Sequence, residues 1–468
     1  MPPSTPSNRR SRLRMLLGHE FFAPEEWRRR LALWLGGIVV GLTAVLFVRA
    51  STLAYAGFRQ MLALSPWLPV VVTPLVFALL AWLTRGPLQQ TRGSGIPQVI
   101  AAIGSPEASF RRQLLSLPIT VAKMALTLAA LAAGASVGRE GPTVQVSAGI
   151  MHWIGRRFGY RDPQQMSRFV LAGGGAGIAA AFNTPLAGIV FAIEELAGTF
   201  EHRFSGIILT TVIFAGVVSL GILGDYSYFG TVHVELPLGQ GWLAVLLCGA
   251  CGGIGGGAFS RIILLGDRGP MALLAAARSR WPVLFALGCG LALVGLGLLS
   301  GNTVYGTGYD EARGLLQGTR GAGEAFGLFK LAANIVSQWA AIPGGIFSPA
   351  LAVGAGMGNA LTALFPGTPS EAVILLGMAA FLAGVTQAPI TAAVIALELT
   401  ANHSLMVPLL ATCLVARAGS ALICREPVYH AFANRLVAAH AASEAANISD
   451  SNEPARATAG PNDERADT

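Results

Sequence analysis

Charge is what this sequence has least of. Only 12% of its 468 residues are Asp, Glu, Lys or Arg, against about 25% in a soluble globular protein, which excludes a water-facing surface over most of the chain. Cysteine is sparse too, at five residues. Cys248, Cys251, Cys289, Cys413 and Cys424 sit in or beside apolar runs, and Cys248 and Cys251 have no second Cys/His pair nearby. They read as buried thiols, not as a zinc site or a disulfide. His152, His403 and His430 are scattered, so no metal is expected. The apolar runs are unbroken instead of alternating, which argues against a β-barrel. No short apolar core followed by a cleavage site marks a removable signal peptide. The net charge of +8 has no basic soluble domain to carry it, so nucleic acid is not an expected partner.

What is present is apolar length. Hydrophobic residues make up 53% of the chain, with 58 Gly and 26 Pro, a mixture that membrane helices tolerate better than soluble ones. At about 20 residues per span there is room for on the order of ten or more segments. The fold class is therefore an all-α polytopic membrane protein. Met1 to Arg30 carries Arg9, Arg10, Arg12, Arg14, Arg28, Arg29 and Arg30, which reads as a cytoplasmic, basic N-terminal segment with Trp27 as an interfacial anchor. Apolar runs follow at Leu31–Val48, Leu68–Leu83, Leu117–Val137, Phe169–Leu196, Gly206–Leu223, Trp242–Phe259, Trp281–Leu299, Leu328–Ile342, Ala350–Phe365, Ala372–Leu399 and Leu405–Ile423. Residues 437–468 turn polar and read as a disordered tail.

Two halves repeat. Pro185 to Glu194 resembles Pro389 to Glu398 with Pro and Glu in register, Gly93-Ser94-Gly95 is echoed by Gly306-Thr307-Gly308, and Pro142 to Gly149 parallels Pro349 to Gly356. All three matches fall in the same order. Residues 31–225 and 226–436 are therefore read as two transmembrane repeats, and paired Gly/Pro-interrupted segments in two halves point to a transport site between them near the midplane.

Three glycine-rich motifs interrupt the apolar runs, each ending in proline: Gly93 to Pro97, Gly138-Arg139-Glu140-Gly141-Pro142, and Gly344-Gly345-Ile346-Phe347-Ser348-Pro349. Such a pattern gives a broken helix end: free φ, then a residue preset for the first helical turn. Helix starts in a membrane favour anions. Glu140 is itself an anion, able to occupy such a site or yield it to a diffusing one; alternatively, Arg139 and Glu140 form a loop pair at the water interface. Ser94 and Tyr429 offer hydroxyls, and Ile346 and Phe347 offer backbone N–H groups. Donors without full charge suit a permeating anion, because binding must stay weak enough for release. Lys123 either raises the potential along that path or is structural, and Lys330 reads as interfacial. Glu195 is either a proton carrier or a surface carboxylate at a helix end, and Glu398 reads as a buried or boundary hydrogen-bonding group instead of a second proton site.

These motifs, in this order, resemble the CLC chloride channel and transporter family over about Leu31 to Leu436. The resemblance implies two inverted repeats of tilted, broken helices, a homodimer with one pore per subunit, and a multi-pass protein of the bacterial inner membrane with both termini cytoplasmic. It also implies roles. Ser94, Tyr429 and the amides of Ile346 and Phe347 would hold chloride, supported by Gly93, Gly95, Pro97, Arg139, Gly141, Pro142, Gly345, Pro349 and Lys123. Glu140 would be the external gating glutamate and Glu195 the internal proton glutamate. Chloride and protons would be the transported ions, with no cofactor. Ala341-Ile342-Pro343 departs from the serine-glycine-alanine-proline approach of many relatives, and is expected to reshape the inner vestibule. The paired soluble nucleotide-sensing domains of many eukaryotic members are not expected here, nor regulation through them. The expected function is chloride/proton antiport, with a passive chloride channel of the same fold as the alternative. An enzyme is not expected, since no nucleophile–base pair, metal cluster or cofactor motif is present.

Overall fold

The computed structural model describes residues 24–198, 205–224, 227–237, 239–265, 272–319 and 323–457. The helices of the first half are α1 (Pro24–Leu64), α2 (Leu68–Leu83), α3 (Ile96–Gly104), α4 (Ala108–Leu115), α5 (Leu117–Ala132), α6 (Glu140–Arg157), α7 (Pro163–Phe182), α8 (Pro185–Phe191) and α9 (Ser205–Leu223). Those of the second are α10 (Gln240–Leu265), α11 (Ala272–Arg280), α12 (Pro282–Leu299), α13 (Tyr309–Leu316), α14 (Phe326–Trp339), α15 (Phe347–Leu361), α16 (Ser370–Thr386), α17 (Pro389–Thr400), α18 (Met406–Ile423) and α19 (Val428–Ala457). Among the described residues only two isolated bridges resemble sheet.

Among the described residues six helical spans are long and apolar enough to cross a membrane, one of them formed by α4 and α5 together; several others are too short to cross alone. Exposed leucines and valines on α1, α2, α9, α10 and α18 mark the faces turned to lipid, where an apolar side chain loses nothing. Trp67, Trp82, Trp153 and Trp281 are exposed at or near helix ends, as interfacial anchors are. Helix cohesion in lipid depends on close packing. A Cβ on Gly256 of α10 would lie 2.6 Å from the backbone of Gly384 on α16, so a side chain there would force the two helices apart.

The packing repeats as the sequence does. α1 packs on α9 and α10 on α18; α6 packs on α7 and α15 on α16. The halves meet at α8 and α17 through a reciprocal pair of caps. Glu398 accepts from the N–H groups of Leu186 and Ala187 at 3.2 and 2.5 Å, and Glu194 accepts from those of Ile390 and Thr391 at 3.2 and 2.6 Å. Each half thus caps the other's short helix. Residue i touching j′ while j touches i′ is the mark of a two-fold relation, here within one chain.

Several sequence-based expectations need correction. Lys330 is not interfacial: it is fully buried, and its Nζ donates to the carbonyls of Val304 and Gly306 at 2.8 Å and of Tyr305 at 3.5 Å. Lys123, its repeat counterpart, does the same for Thr91 and Gly93 at 2.8 and 2.6 Å. Each lysine anchors the Gly-x-Gly loop of its own half. The run Ala372–Leu399 is two helices, because Gln387 takes φ 60 and Pro389 starts the second. The first span extends well beyond Leu31–Val48, through polar residues at both ends of α1. α19 continues to Ala457, into the stretch that composition reads as disordered, where the alanine-dense residues up to Ala446 keep helix propensity high. Arg9, Arg10, Arg12, Arg14 and the boundary at 225/226 lie outside the described residues.

Candidate functional site: a buried pathway between two vestibules

The three glycine-rich motifs converge on one another. Gly93 pairs with Pro343 and Gly138 with Gly345 as isolated bridges; Gly138 and Gly345 exchange two N–H···O bonds of 2.7 Å, and the Gly344 N–H donates to the Gly93 carbonyl at 3.0 Å. These pairings fix three helix starts around one point. Pro97, Pro142 and Pro349 all fall in the first turn of their helices, where a missing N–H leaves no intrahelical bond unmade. Gly93 and Gly95 take positive φ of 64 and 107. At Gly141 a Cβ would collide with the backbone carbonyl and hydroxyl of Ser94, so glycine is what lets the α6 start touch the loop before α3.

Ser94 precedes α3, Tyr429 stands in the first turn of α19, and Ile346 and Phe347 cap and begin α15; all four are buried. First-turn N–H groups have no acceptor inside their own helix. The Ser94 Oγ and Tyr429 hydroxyl are buried without a hydrogen-bond partner among the described residues. A buried hydroxyl left unpaired costs about 1–3 kcal/mol, so two of them beside a helix start define a donor cradle. The Tyr429 hydroxyl neighbours that of Ser94, and Glu195 and Glu140 lie within electrostatic range of it.

Glu140 is 0% exposed, which rules out the water-interface loop pair. Its Oε1 accepts from the Ser348 hydroxyl at 2.5 Å, setting the carboxylate against the first turn of α15, while Oε2 has no partner among the described residues. Arg139 turns the other way, its Nη1 donating to the Val48 carbonyl at 2.9 Å and the Thr52 hydroxyl at 3.0 Å. Glu195 is 2% exposed, so it is not a surface carboxylate. It sits in a π-helical turn, Ala192–Ala197, a rare geometry frequent at functional sites. There Glu194 faces the cap of α17 while Glu195 faces inward with Oε1 unpaired among the described residues. The Glu195 carbonyl lies 3.1 Å from His430 Nε2, beside Tyr429 on α19.

Two cavities flank this core. One, of about 280 Å³, is lined by Ser94, Pro97, Ile346 and Tyr429 together with Arg92, Arg278 and Arg435. The other, of about 580 Å³, is lined by Arg139, Thr52, Tyr228 and Tyr309. Arginines at a cavity mouth raise local anion concentration. Ala341, from the segment that departs from the family pattern, lines the first cavity with φ 55. Sequence reading missed Ser348, the π turn and one further cluster: Glu107, His440 and Glu444, whose ligand atoms lie within 4.8 Å of one another. His440 Nε2 is 2.9 Å from Glu107 Oε2, and the ring stacks on Phe110, tying α19 to α4. Only tertiary contact between distant segments reveals it.

Broken helices in a two-fold arrangement, with acidic and hydroxyl groups buried between two vestibules, define an ion-transport protein of the CLC type. The chain belongs to this family: the family model described as voltage gated chloride channel matches residues 76–421. Among its relatives, the H(+)/Cl(-) exchange transporter ClcA of Citrobacter koseri is 30% identical, with 88% of this chain and 89% of that one covered. The transporter of the same name from Cronobacter sakazakii is 32% identical, covering 86% and 89%. In fold the chain is similar to a slow cyanobacterial Cl-/H+ antiporter (TM-score 0.68, 24% identity, 88% and 98% covered) and to a CLC-type fluoride/proton antiporter (TM-score 0.73, 22% identity, 87% and 98% covered).

Proposed function

We propose that the protein exchanges chloride for protons across a membrane. The observation that carries this is the set of unpaired buried polar atoms between the two vestibules: two neutral hydroxyl donors, Ser94 and Tyr429, and one oxygen each of Glu140 and Glu195. Hydroxyls and first-turn amides suit a chloride ion, holding it without a full countercharge. Glu140 competes for the same helix start, and a carboxylate leaves such a site once protonated, so anion and proton occupancy are linked. Glu195 supplies a second proton station, set apart from Glu140 by the Ser94 and Tyr429 hydroxyls. Relatives named as H(+)/Cl(-) exchange transporters support this reading. A passive channel would have no use for a buried carboxylate at position 195.

The chloride cradle is assigned to Ser94, Tyr429 and the N–H groups of Ile346 and Phe347, the outer gate to Glu140 and the inner proton station to Glu195. The chain acts as a homodimer in the bacterial inner membrane, with both termini cytoplasmic; the cluster of arginines around α1, α3 to α4 and α6 to α7 on one side supports that orientation. The test is paired chloride and proton flux in liposomes. Glu140→Ala is expected to keep chloride movement and lose proton coupling, and Glu195→Gln to block protons alone. Proton transport unchanged in both variants would overturn the assignment.

A further inference from the structure

Ser348 stands in the third glycine-rich motif without a role in anion binding or proton transfer, yet among the described residues it makes the one hydrogen bond to the Glu140 carboxylate. We propose that Ser348 is a positioning residue that latches Glu140 in the anion path and so sets how often chloride can displace it. This rests on the exchange reading above, and adds to it a residue that tunes the competition.

The geometry is specific. Ser348 is the second residue of α15, and its hydroxyl proton points to Glu140 Oε1 at 2.5 Å. Glu140 is 0% exposed and Ser348 5% exposed, so water does not screen or replace this bond. A hydroxyl has one proton to donate, and here it is spent on the carboxylate. The other oxygen, Oε2, has no partner among the described residues. Without Ser348 the carboxylate would therefore lose its side-chain donor while still desolvated, which weakens its hold on the helix start. Arg139 cannot substitute readily, because its guanidinium is engaged with Val48, Thr52 and Tyr228 on the outer side. Chloride competes with Glu140 for the first-turn N–H groups of the same helix. Weakening the latch should therefore tighten chloride binding, the reverse of what loss of a chloride ligand would do.

The test is chloride titration by calorimetry on the purified full-length protein, with Ser348→Ala and Ser348→Thr each made in the wild-type and the Glu140→Ala backgrounds. Polar pairs inside membrane proteins are worth from about threefold to roughly one decade in an equilibrium constant, so Ser348→Ala is expected to raise chloride affinity about three- to tenfold. Ser348→Thr, which keeps the hydroxyl, should stay near wild type. In the Glu140→Ala background Ser348→Ala should change affinity less than about twofold, since no carboxylate remains to be latched. Equal changes in both backgrounds, or weaker chloride binding in Ser348→Ala, would overturn the latch while leaving the exchange reading standing. Absence of chloride binding in every protein, Glu140→Ala included, would instead overturn the exchange reading and the latch with it.

Discussion

Replacing Glu398 by alanine removes the carboxylate that accepts from Leu186 and Ala187 at the start of α8. Hydrogen bonds to a charged group are worth about 1.5–3 kcal/mol in water-soluble proteins, but polar pairs inside membrane proteins average about 0.6 and reach about 1.7 kcal/mol. Two bonds at one helix end therefore set an expected loss of about 1–3 kcal/mol. Glu398→Gln keeps an acceptor and loses the charge, so about half of that loss is expected. Glu194→Ala should cost a similar amount, because its two bonds to Ile390 and Thr391 reproduce the arrangement. Both caps brace the α8–α17 contact, so the double variant should lose less than the sum. Denaturant unfolding in detergent reads all four values. A loss below about 0.3 kcal/mol in both single variants, within the scatter of surface substitutions, would refute the reciprocal brace. The two sites should differ in transport: Glu194→Ala frees the π turn that presents Glu195 and should lower proton flux, whereas Glu398→Ala should leave it near wild type.

Two further predictions concern the loops. Lys123→Met and Lys330→Met each strip a buried ammonium from two or three backbone carbonyls, and each should destabilise by about 2–4 kcal/mol, measured by the same unfolding; a neutral outcome would mean the lysines do not hold the Gly-x-Gly loops. Ala341 takes φ 55, a region that costs an L-residue roughly 1–2 kcal/mol, so Ala341→Gly should raise stability by about 1 kcal/mol, and a drop would show that the methyl group's packing outweighs the strain.

How much of this was legible before the structure depends on the range of the signal. Motifs that stop helices are local, and Gly93 to Pro97, Glu140 to Pro142 and Gly344 to Pro349 announced helix starts that lie where expected. The register of Pro185 to Glu194 on Pro389 to Glu398 was equally visible, because both strings are contiguous. What those glutamates do was not, since the caps join residues about two hundred positions apart. Lys330 illustrates the limit: a lone lysine in an apolar run looks the same whether it snorkels or is caged by three carbonyls. Glu194 and Glu195, adjacent in sequence, part ways only because a π turn splays them, and nothing in their composition distinguishes the two. The polar tail misled for the opposite reason, since low hydrophobicity removes a packing partner but does not remove helix propensity.

Whether a carboxylate and a halide share one site is tested most directly by imposing a chloride gradient, with no pH gradient, on liposomes holding the purified protein and following the pH inside. Competition at the Glu140 site requires chloride running down its gradient to drive protons the opposite way, uphill, with the drive lost in Glu140→Ala. Chloride movement in the unaltered protein with no accompanying proton movement would contradict it.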